Sequence, residues 1–308
     1  MTEPLRIGTR GSPLALAQAH QTRDRLAAAH PALAAPGAIE IVVIRTTGDR
    51  IQDRTLMEAG GKGLFTKEIE EDLAAARIDL AVHSMKDVPT WLPEGLEIVC
   101  MLPREDPRDA FISASGVRLD VLPQGAVVGT ASLRRQAQIL ARRPDLRVIP
   151  FRGNVQTRLR KLADGEADAT LLALAGLRRL GMADVATEIL DPTVMLPAVA
   201  QGAIGIEIRS DDAATRALLA PLACAETMVR VSAERALLAV LDGSCRTPIG
   251  ALARVDGDTL SLDGLVAAPD GRQVLRTAVH GPAAEAERLG SEAGAALKAQ
   301  LPAGFFRA

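Results

Sequence analysis

The segment HSMKD, residues 83–87, places an imidazole, an ammonium and a carboxyl within five residues, straight after the apolar run IDLAV (78–82). Beside Lys86 and near arginines the carboxyl of Asp87 stays ionised, because neighbouring positive charge favours the charged form. Such a carboxylate can stabilise a developing cation and carry a proton to or from it. On residue types alone, a surface salt-bridge cluster explains HSMKD equally well. Cys245, in LDGSCRTPIG (241–250), is the second candidate. A thiol that only fills space belongs on an apolar element, yet Asp242-Gly243 before it and Pro248 and Gly250 after it spell a loop. A nucleophilic pair of Cys245 with His83 is conceivable chemistry, but no spacing in the chain predicts it. Cys100 and Cys224 read as core thiols.

Cations make up the third group. Arg10 stands two residues before Ser12, an N-cap. Arg134 and Arg135 fall in the first turn of a helix capped by Ser132. Arg152 precedes Gly153, and Arg158 lies one turn into a helix capped by Asn154. A cation in a first turn opposes the helix macrodipole and costs a few tenths to about 1 kcal/mol. Repeated placements of this kind predict a bound anion, held by helix N–H groups and guanidinium groups together. Each arginine alone reads as a solvated surface residue. Their recurrence where strands hand over to helices predicts one cleft between two domains, since open α/β sheets bind ligands at strand carboxyl ends.

Segment 48–63, GDRIQDRTLMEAGGKG, has neither helical nor strand period, and glycines flank Lys62. It reads as a lid or, equally, as a surface loop. GGKG lacks the Ser or Thr of a phosphate loop, and no G-x-G-x-x-G follows the first strand, which argues against a nucleotide.

These residues need elements to position them. LRIG (5–8), IEIVVI (39–44), IDLAVHS (78–84) and LEIVCM (96–101) read as strands. Helices between them cover 12–30 and 66–77. A second set begins near 105, with strands at 126–130, 146–150 and 169–174. GAIGIEIR (202–209) is a further strand that can return to the first sheet. The rhythm predicts mainly parallel sheets covered by helices on both faces. A helical pattern at 225–240 then leads to the Cys245 loop. Two strands around Pro269-Asp270-Gly271 and an Ala-rich helix near 282–300 follow.

The chain has 308 residues, which predicts two or three domains. Five Phe, one Trp and no Tyr argue against aromatic platforms for single-stranded nucleic acid, and a net charge of −2 gives no reason to expect a polyanion partner. The first twenty residues lack the basic and apolar regions of a signal peptide. No apolar run approaches the roughly 18 residues of a membrane span. Three widely spaced cysteines make neither a disulfide framework nor a metal site. The expectation is a cytoplasmic protein with reduced thiols, and neither nucleic acid nor membrane as partner.

Nine segments, RIGTRGSPLAL, GGKGLFTKE, AVHSMKDVP, REDPRDAF, GTASLRRQ, RGNVQTRL, AGLRRLG, LPAVAQGAIGIE and GSCRTPIG, resemble the porphobilinogen deaminase family (hydroxymethylbilane synthases). They occur in the family's order between about residues 6 and 250; the remainder matches in general pattern only. The resemblance implies a transferase of tetrapyrrole and haem biosynthesis. It joins four porphobilinogen molecules head to tail, releases four ammonia, and frees hydroxymethylbilane by hydrolysis. It also implies a dipyrromethane cofactor attached covalently at Cys245, which accounts for a cysteine in a polar loop.

By the same resemblance Asp87 is the catalytic acid and base. Lys86, Ser132, Arg134, Arg135, Arg152 and Arg158 bind cofactor carboxylates. Arg10, Ser12, Arg179, Gln201, Lys62 and Phe65 join Arg152 and Arg158 in binding substrate. Glu58 and Arg246 depart from some members and receive no role. The implied fold is α/β, with two doubly wound, periplasmic-binding-protein-like domains (1–102 with 200–220, and 105–197) and a small α+β domain, 224–308. A monomer that hands its product to uroporphyrinogen-III synthase is the implied partner arrangement. The competing readings are a non-enzymatic anion-binding protein of two α/β domains, which predicts no covalent cofactor, and a cysteine hydrolase, which needs a histidine against Cys245.

Overall fold

Leu-, Ile- and Val-rich runs bounded by Gly, Pro and Asp become strands, and the amphipathic stretches between them become helices. A computed structural model describes residues 3–50, 63–242, 247–302 and 305. Its strands are β1 Leu5–Arg10, β2 Ile39–Ile44, β3 Leu80–Ser84 and β4 Leu96–Met101, then β5 Asp109–Ser113, β6 Val127–Gly129 and β7 Arg147–Ile149. They continue with β8 Ala169–Ala173, β9 Glu188–Ile189, β10 Ile204–Arg209, β11 Ile249–Asp256, β12 Thr259–Ala267 and β13 Val274–Pro282. The helices are α1 Pro13–Ala29, α2 Thr47–Arg50, α3 Lys67–Ala74, α4 Leu133–Arg142 and α5 Val155–Ala163, followed by α6 Leu174–Arg179, α7 Ala213–Leu219, α8 Ala225–Val240 and α9 Ala286–Ala299. The described residues group into two compact units, 3–50 with 63–105 and 203–228, and 106–202 with 229 onward.

The first unit holds a five-stranded sheet in the order β2-β1-β3-β10-β4. Ile7, Leu80, Val82, Ile204 and Ile206 bury one face against Ala19 and Leu26 of α1. Ile44 and Ile78 bury the other against Ile69 and Leu73 of α3. Burial on both faces explains why these strands read as continuous apolar runs, each fully buried Leu or Ile contributing about 1.5–3 kcal/mol. Helix α1 starts where expected: the Ser12 hydroxyl accepts from the Ala15 N–H at 3.3 Å, with Pro13 in the first turn. It stops at His30, before Pro31, because a residue preceding proline is driven out of the helical region.

The second unit repeats the plan, with order β7-β6-β8-β5-β9. Phe111, Val128, Ile139 and Leu171 fill one side, and Ile112, Leu162, Leu172 and Leu177 the other. The same unit contains the antiparallel sheet β11-β12-β13, on which Leu289, Ala293 and Leu297 of α9 are buried. Its Pro-Asp-Gly turn is seated on α4. Gly271 has φ +74°, and a Cβ there would lie 2.5 Å from the Ala141 nitrogen and 2.6 Å from the Ala137 oxygen. Gln136 also donates to the Pro269 carbonyl at 3.2 Å.

In each large sheet four strands run the same way and one runs against them: β10 is antiparallel to β3 and β4, and β5 to β8 and β9. The return of 204–209 to the first sheet holds, with the strand antiparallel to both of its neighbours. The strands β5, β9 and β11 are not predicted from the sequence, β9 being only two residues long. Cys100 is a core thiol, fully buried, and burial pushes its pKa up to about 12. Cys224 is only half-buried, at the start of α8. No described helix is long and apolar enough to cross a membrane.

Candidate functional site

In the first unit β3 ends in a short 3-10 turn, Met85–Asp87, which lifts Lys86 and Asp87 beyond the sheet. The turn is held from below by the loop into β10, because the Met85 N–H donates to the Ala203 carbonyl at 3.0 Å. Gly205 faces Met85 so closely that a Cβ would lie 2.0 Å from the Met85 sulfur. Beside the turn is a small open pocket whose lining includes Arg10, Gln18, Phe65, His83, Ser84 and Asp87. The Arg10 guanidinium stacks 4.2 Å from the centroid of the Phe65 ring, a cation–π contact that fixes the cation at the pocket wall. Gln18 and Ser84 exchange side-chain hydrogen bonds of 2.8 and 3.0 Å. Lys86 and Asp87 are both half-buried.

His83 does not await a thiol. Its Nε2 lies 2.9 Å from a carboxylate oxygen of Glu207 on β10, in a pair that is almost wholly buried. The other Glu207 oxygen is buried without a hydrogen-bond partner among the described residues. Glu70 of α3 lies close enough to feel both: burial raises its pKa, Glu207 raises it further, and Thr66 and His83 lower it. A pocket bordered by a carboxylate, a guanidinium and a buried His–Glu pair brings together groups that pair with an anion and groups that exchange protons.

The second unit presents guanidiniums. Ser132 caps α4, its hydroxyl accepting from the Arg135 N–H at 3.4 Å. Arg134 and Arg135 both turn onto Asp109 of β5, which is fully buried, at 2.8 and 2.7 Å. The sequence reading required an anion beside these two cations. For both, that anion is a protein carboxylate. Arg134 also donates to the Leu196 carbonyl at 2.7 Å, and Arg135 to that of Leu171 at 2.9 Å. Burial pushes the Asp109 carboxyl up, but Arg134 and Arg135 outweigh it and hold the group well below the usual carboxylate range. Burial lowers the pKa of Arg134, and Asp109 opposes that shift.

One Asp set against two Arg leaves a surplus positive charge, and the Arg134 Nε is buried without a hydrogen-bond partner among the described residues. The same holds for one terminal nitrogen of Arg152. Orphaned buried donors and unbalanced charge are what a carboxylate-rich group would satisfy, so these residues fit dipyrromethane with its acetate and propionate arms.

Gln201 donates to Asp109 at 3.0 Å and to the Pro107 carbonyl at 2.7 Å. The Arg179 guanidinium donates to the Gly202 carbonyl at 2.7 Å. Arg158 folds back on its own loop, its Nε 2.9 Å from the Gly153 carbonyl, in a helix capped by Asn154. Lys62 and most of the glycine-rich segment, together with Cys245 and Arg246, lie outside the described residues.

Sequence reasoning therefore passed over Gln18, Ser84, Asp109 and Glu207. The signal existed for two of them. Asp109 opens the apolar strand DAFIS, and Glu207 interrupts GAIGIEIR, so each predicts a buried carboxylate in need of a cation.

The porphobilinogen deaminase, dipyromethane cofactor binding domain model matches residues 5–217, and the porphobilinogen deaminase C-terminal domain model matches 228–299. The chain is 61% identical over 303 residues to the porphobilinogen deaminase of Paracoccus denitrificans, covering 98% of this chain and 96% of that one. It is 59% identical to the chloroplastic porphobilinogen deaminase of Oryza sativa subsp. japonica, covering 98% of this chain and 85% of that one. Among solved structures it is similar to a YaeC-family lipoprotein of Enterococcus faecalis, with TM-score 0.41 and 12% identity over 73% of this chain and 93% of that one. It is also similar to an ABC transporter periplasmic binding protein of Brucella ovis, with TM-score 0.38 and 14% identity over 78% and 69%.

Proposed function

Because the chain belongs to the porphobilinogen deaminase family, we propose that its own residues divide the work of that reaction between a proton-handling pocket and a carboxylate-binding set of arginines. The protein is a transferase of tetrapyrrole biosynthesis that works with a dipyrromethane cofactor and takes porphobilinogen as substrate. When bound, dipyrromethane supplies the nucleophilic pyrrole carbon on which the chain of rings is started. Cys245 is its point of attachment.

Asp87 is the catalytic acid and base. Loss of ammonia from porphobilinogen leaves a methylene-pyrroleninium cation. The Asp87 carboxylate stabilises that charge through the pyrrole N–H, then accepts the proton that the attacking pyrrole carbon loses on coupling and passes it to the amine of the next porphobilinogen. Arg10, held over Phe65, pairs with an incoming carboxylate, and Ser12, Lys62, Arg179 and Gln201 assist it in holding substrate. Lys86, Ser132, Arg134, Arg135, Arg152 and Arg158 hold the acetate and propionate groups of the cofactor, with Arg152 and Arg158 also serving substrate. The observation that carries this reading is the pocket in which Asp87, Arg10 and Phe65 stand together at the end of β3.

The domain bounds that best serve these roles are 1–102 with 200–220, 105–197 and 224–308; the last begins near the break between the two family models. The family reading goes with a monomer. A cytoplasmic location follows from the reduced-thiol composition, and transfer of the linear product to uroporphyrinogen-III synthase follows from the reaction.

The test is intact mass of the purified chain beside Cys245→Ala and Asp87→Asn, with porphobilinogen turnover measured on the same samples. Wild type and Asp87→Asn should both carry two pyrrole units, and Cys245→Ala none. Asp87→Asn should retain less than about a hundredth of the turnover, since a general acid–base group contributes roughly 10²–10⁴-fold. A wild-type chain that stays bare after incubation with porphobilinogen, or an Asp87→Asn enzyme at full rate, overturns the assignment.

A further inference from the structure

Arg134 and Arg135 are consecutive residues on α4, so their side chains leave the helix about 100° apart. Both nevertheless end on one carboxylate. Asp109 accepts from Arg135 through Nε at 3.2 Å and Nη2 at 2.7 Å, and from Gln201 at 3.0 Å, all on Oδ1. Its Oδ2 lies 2.8 Å from Nη1 of Arg134. Asp109 is fully buried, and the two arginines are only 4 and 5% exposed. Nη1 of Arg134 also donates to the Leu196 carbonyl and Nη1 of Arg135 to the Leu171 carbonyl, so neither cation can swing away without breaking both an ion pair and a backbone hydrogen bond.

Stability alone does not account for this arrangement. A buried charge pair gains little over apolar residues of the same volume, because desolvation offsets the attraction. Here a second cation is added to a pair already complete, leaving the node one positive charge in excess and one arginine nitrogen, Nε of Arg134, unpartnered. A node of that composition is arranged to present cations in fixed positions to another anion.

We propose that Asp109 is a positioning residue for cofactor binding: a buried carboxylate that sets Arg134, Arg135 and the Gln201 amide in one geometry against the cofactor's carboxylates. The inference rests on the assignment of the two arginines to the cofactor. Asp109 is fully buried, so it acts through the two arginines. Its negative charge opposes anion binding, so the benefit it supplies is geometric. Asp109→Asn separates the two effects. The amide keeps one acceptor oxygen but turns an N–H donor toward a guanidinium donor, which releases at least one arginine while making the node more positive.

The experiment uses full-length chain purified from a host that makes no porphobilinogen, incubated with graded porphobilinogen, with bound pyrrole units counted by intact mass. For Asp109→Asn the half-saturating concentration for loading should rise at least tenfold, while the fraction of chains that can be loaded stays that of wild type. A role confined to holding the fold together would instead lower the loadable fraction and the melting temperature and leave half-saturation unchanged. Half-saturation within twofold of wild type overturns the proposal, whatever the melting temperature. If Asp109→Asn fails to unfold cooperatively, Asp109→Glu replaces it. That variant keeps the charge and displaces both guanidiniums by one methylene, so the same tenfold rise is expected and its absence is equally fatal. A wild-type chain that acquires no pyrrole units defeats the family assignment of these arginines, and with it the proposal. Normal loading of both variants beside a loading wild type defeats the proposal alone.

Discussion

Gly205→Ala tests how tightly the Met85–Asp87 turn, and with it the proposed acid–base residue, is gripped. The added methyl carbon would sit 2.0 Å from the Met85 sulfur and 2.9 Å from its Cγ, whereas non-bonded contacts settle near 3.5–4.0 Å. Met85 must therefore retreat by roughly 1.5 Å or more. It is 1% exposed, so no solvent space receives it. Overpacking of this sort costs about 1–3 kcal/mol. The displaced residue begins the turn that ends at Asp87, and its backbone N–H is committed to Ala203. A shift of about 1 Å at a catalytic group can cost a hundredfold in rate. Gly205→Ala should thus lower kcat by about one to two orders of magnitude with KM nearly unchanged, together with a melting temperature lower by several degrees, ~2–4 °C for each kcal/mol. Steady-state consumption of porphobilinogen and a thermal melt on one preparation read both. Removing the obstacle in Gly205→Ala/Met85→Ala should restore part of the rate beyond what the two single variants predict by addition. A Gly205→Ala enzyme with wild-type kcat and melting temperature would falsify the claim that this contact positions Asp87.

Two further outcomes follow from buried groups. Glu70 has a raised pKa in the fold, so its stabilising contribution is fully present below the ordinary carboxylate pKa and is lost as pH rises through the folded value. Glu70→Gln should therefore gain stability relative to wild type as pH is raised from about 4 to 8, by thermal melts across that range; a constant difference refutes the assignment. The Cys100 thiol, pushed up to about 12 by burial, should resist alkylation in the native state at pH 8 and react at once in denaturant, which peptide mass mapping reads directly.

The legible part of the site was the part written in local signals. Ser12 and Ser132 are N-caps because a hydroxyl before an apolar helical period satisfies a free N–H, and that rule needs only neighbours in sequence. HSMKD could be placed at a strand end because the apolar run before it stops there. Asp109 and Glu207 were visible as carboxylates in apolar strands, but their partners lie far along the chain. Glu207 meets His83 across 124 residues, and Asp109 meets Gln201 across 92. No periodicity reaches over such distances.

By itself the sequence determined the family, the element types and the chemical inventory: a strand-end carboxylate, arginines at helix starts and a loop cysteine. These depend on residue type, order and short spacing. Only the tertiary structure decided which cations are already engaged. It turned Arg134 and Arg135 from free anion binders into a pair shared with Asp109, and His83 from a candidate base into the partner of Glu207. The reason is electrostatic. A charge taken out of water must find its partner in three dimensions, and that partner is chosen by the packing of β5 against β8 and of β10 against β3, not by the residues beside it in the chain.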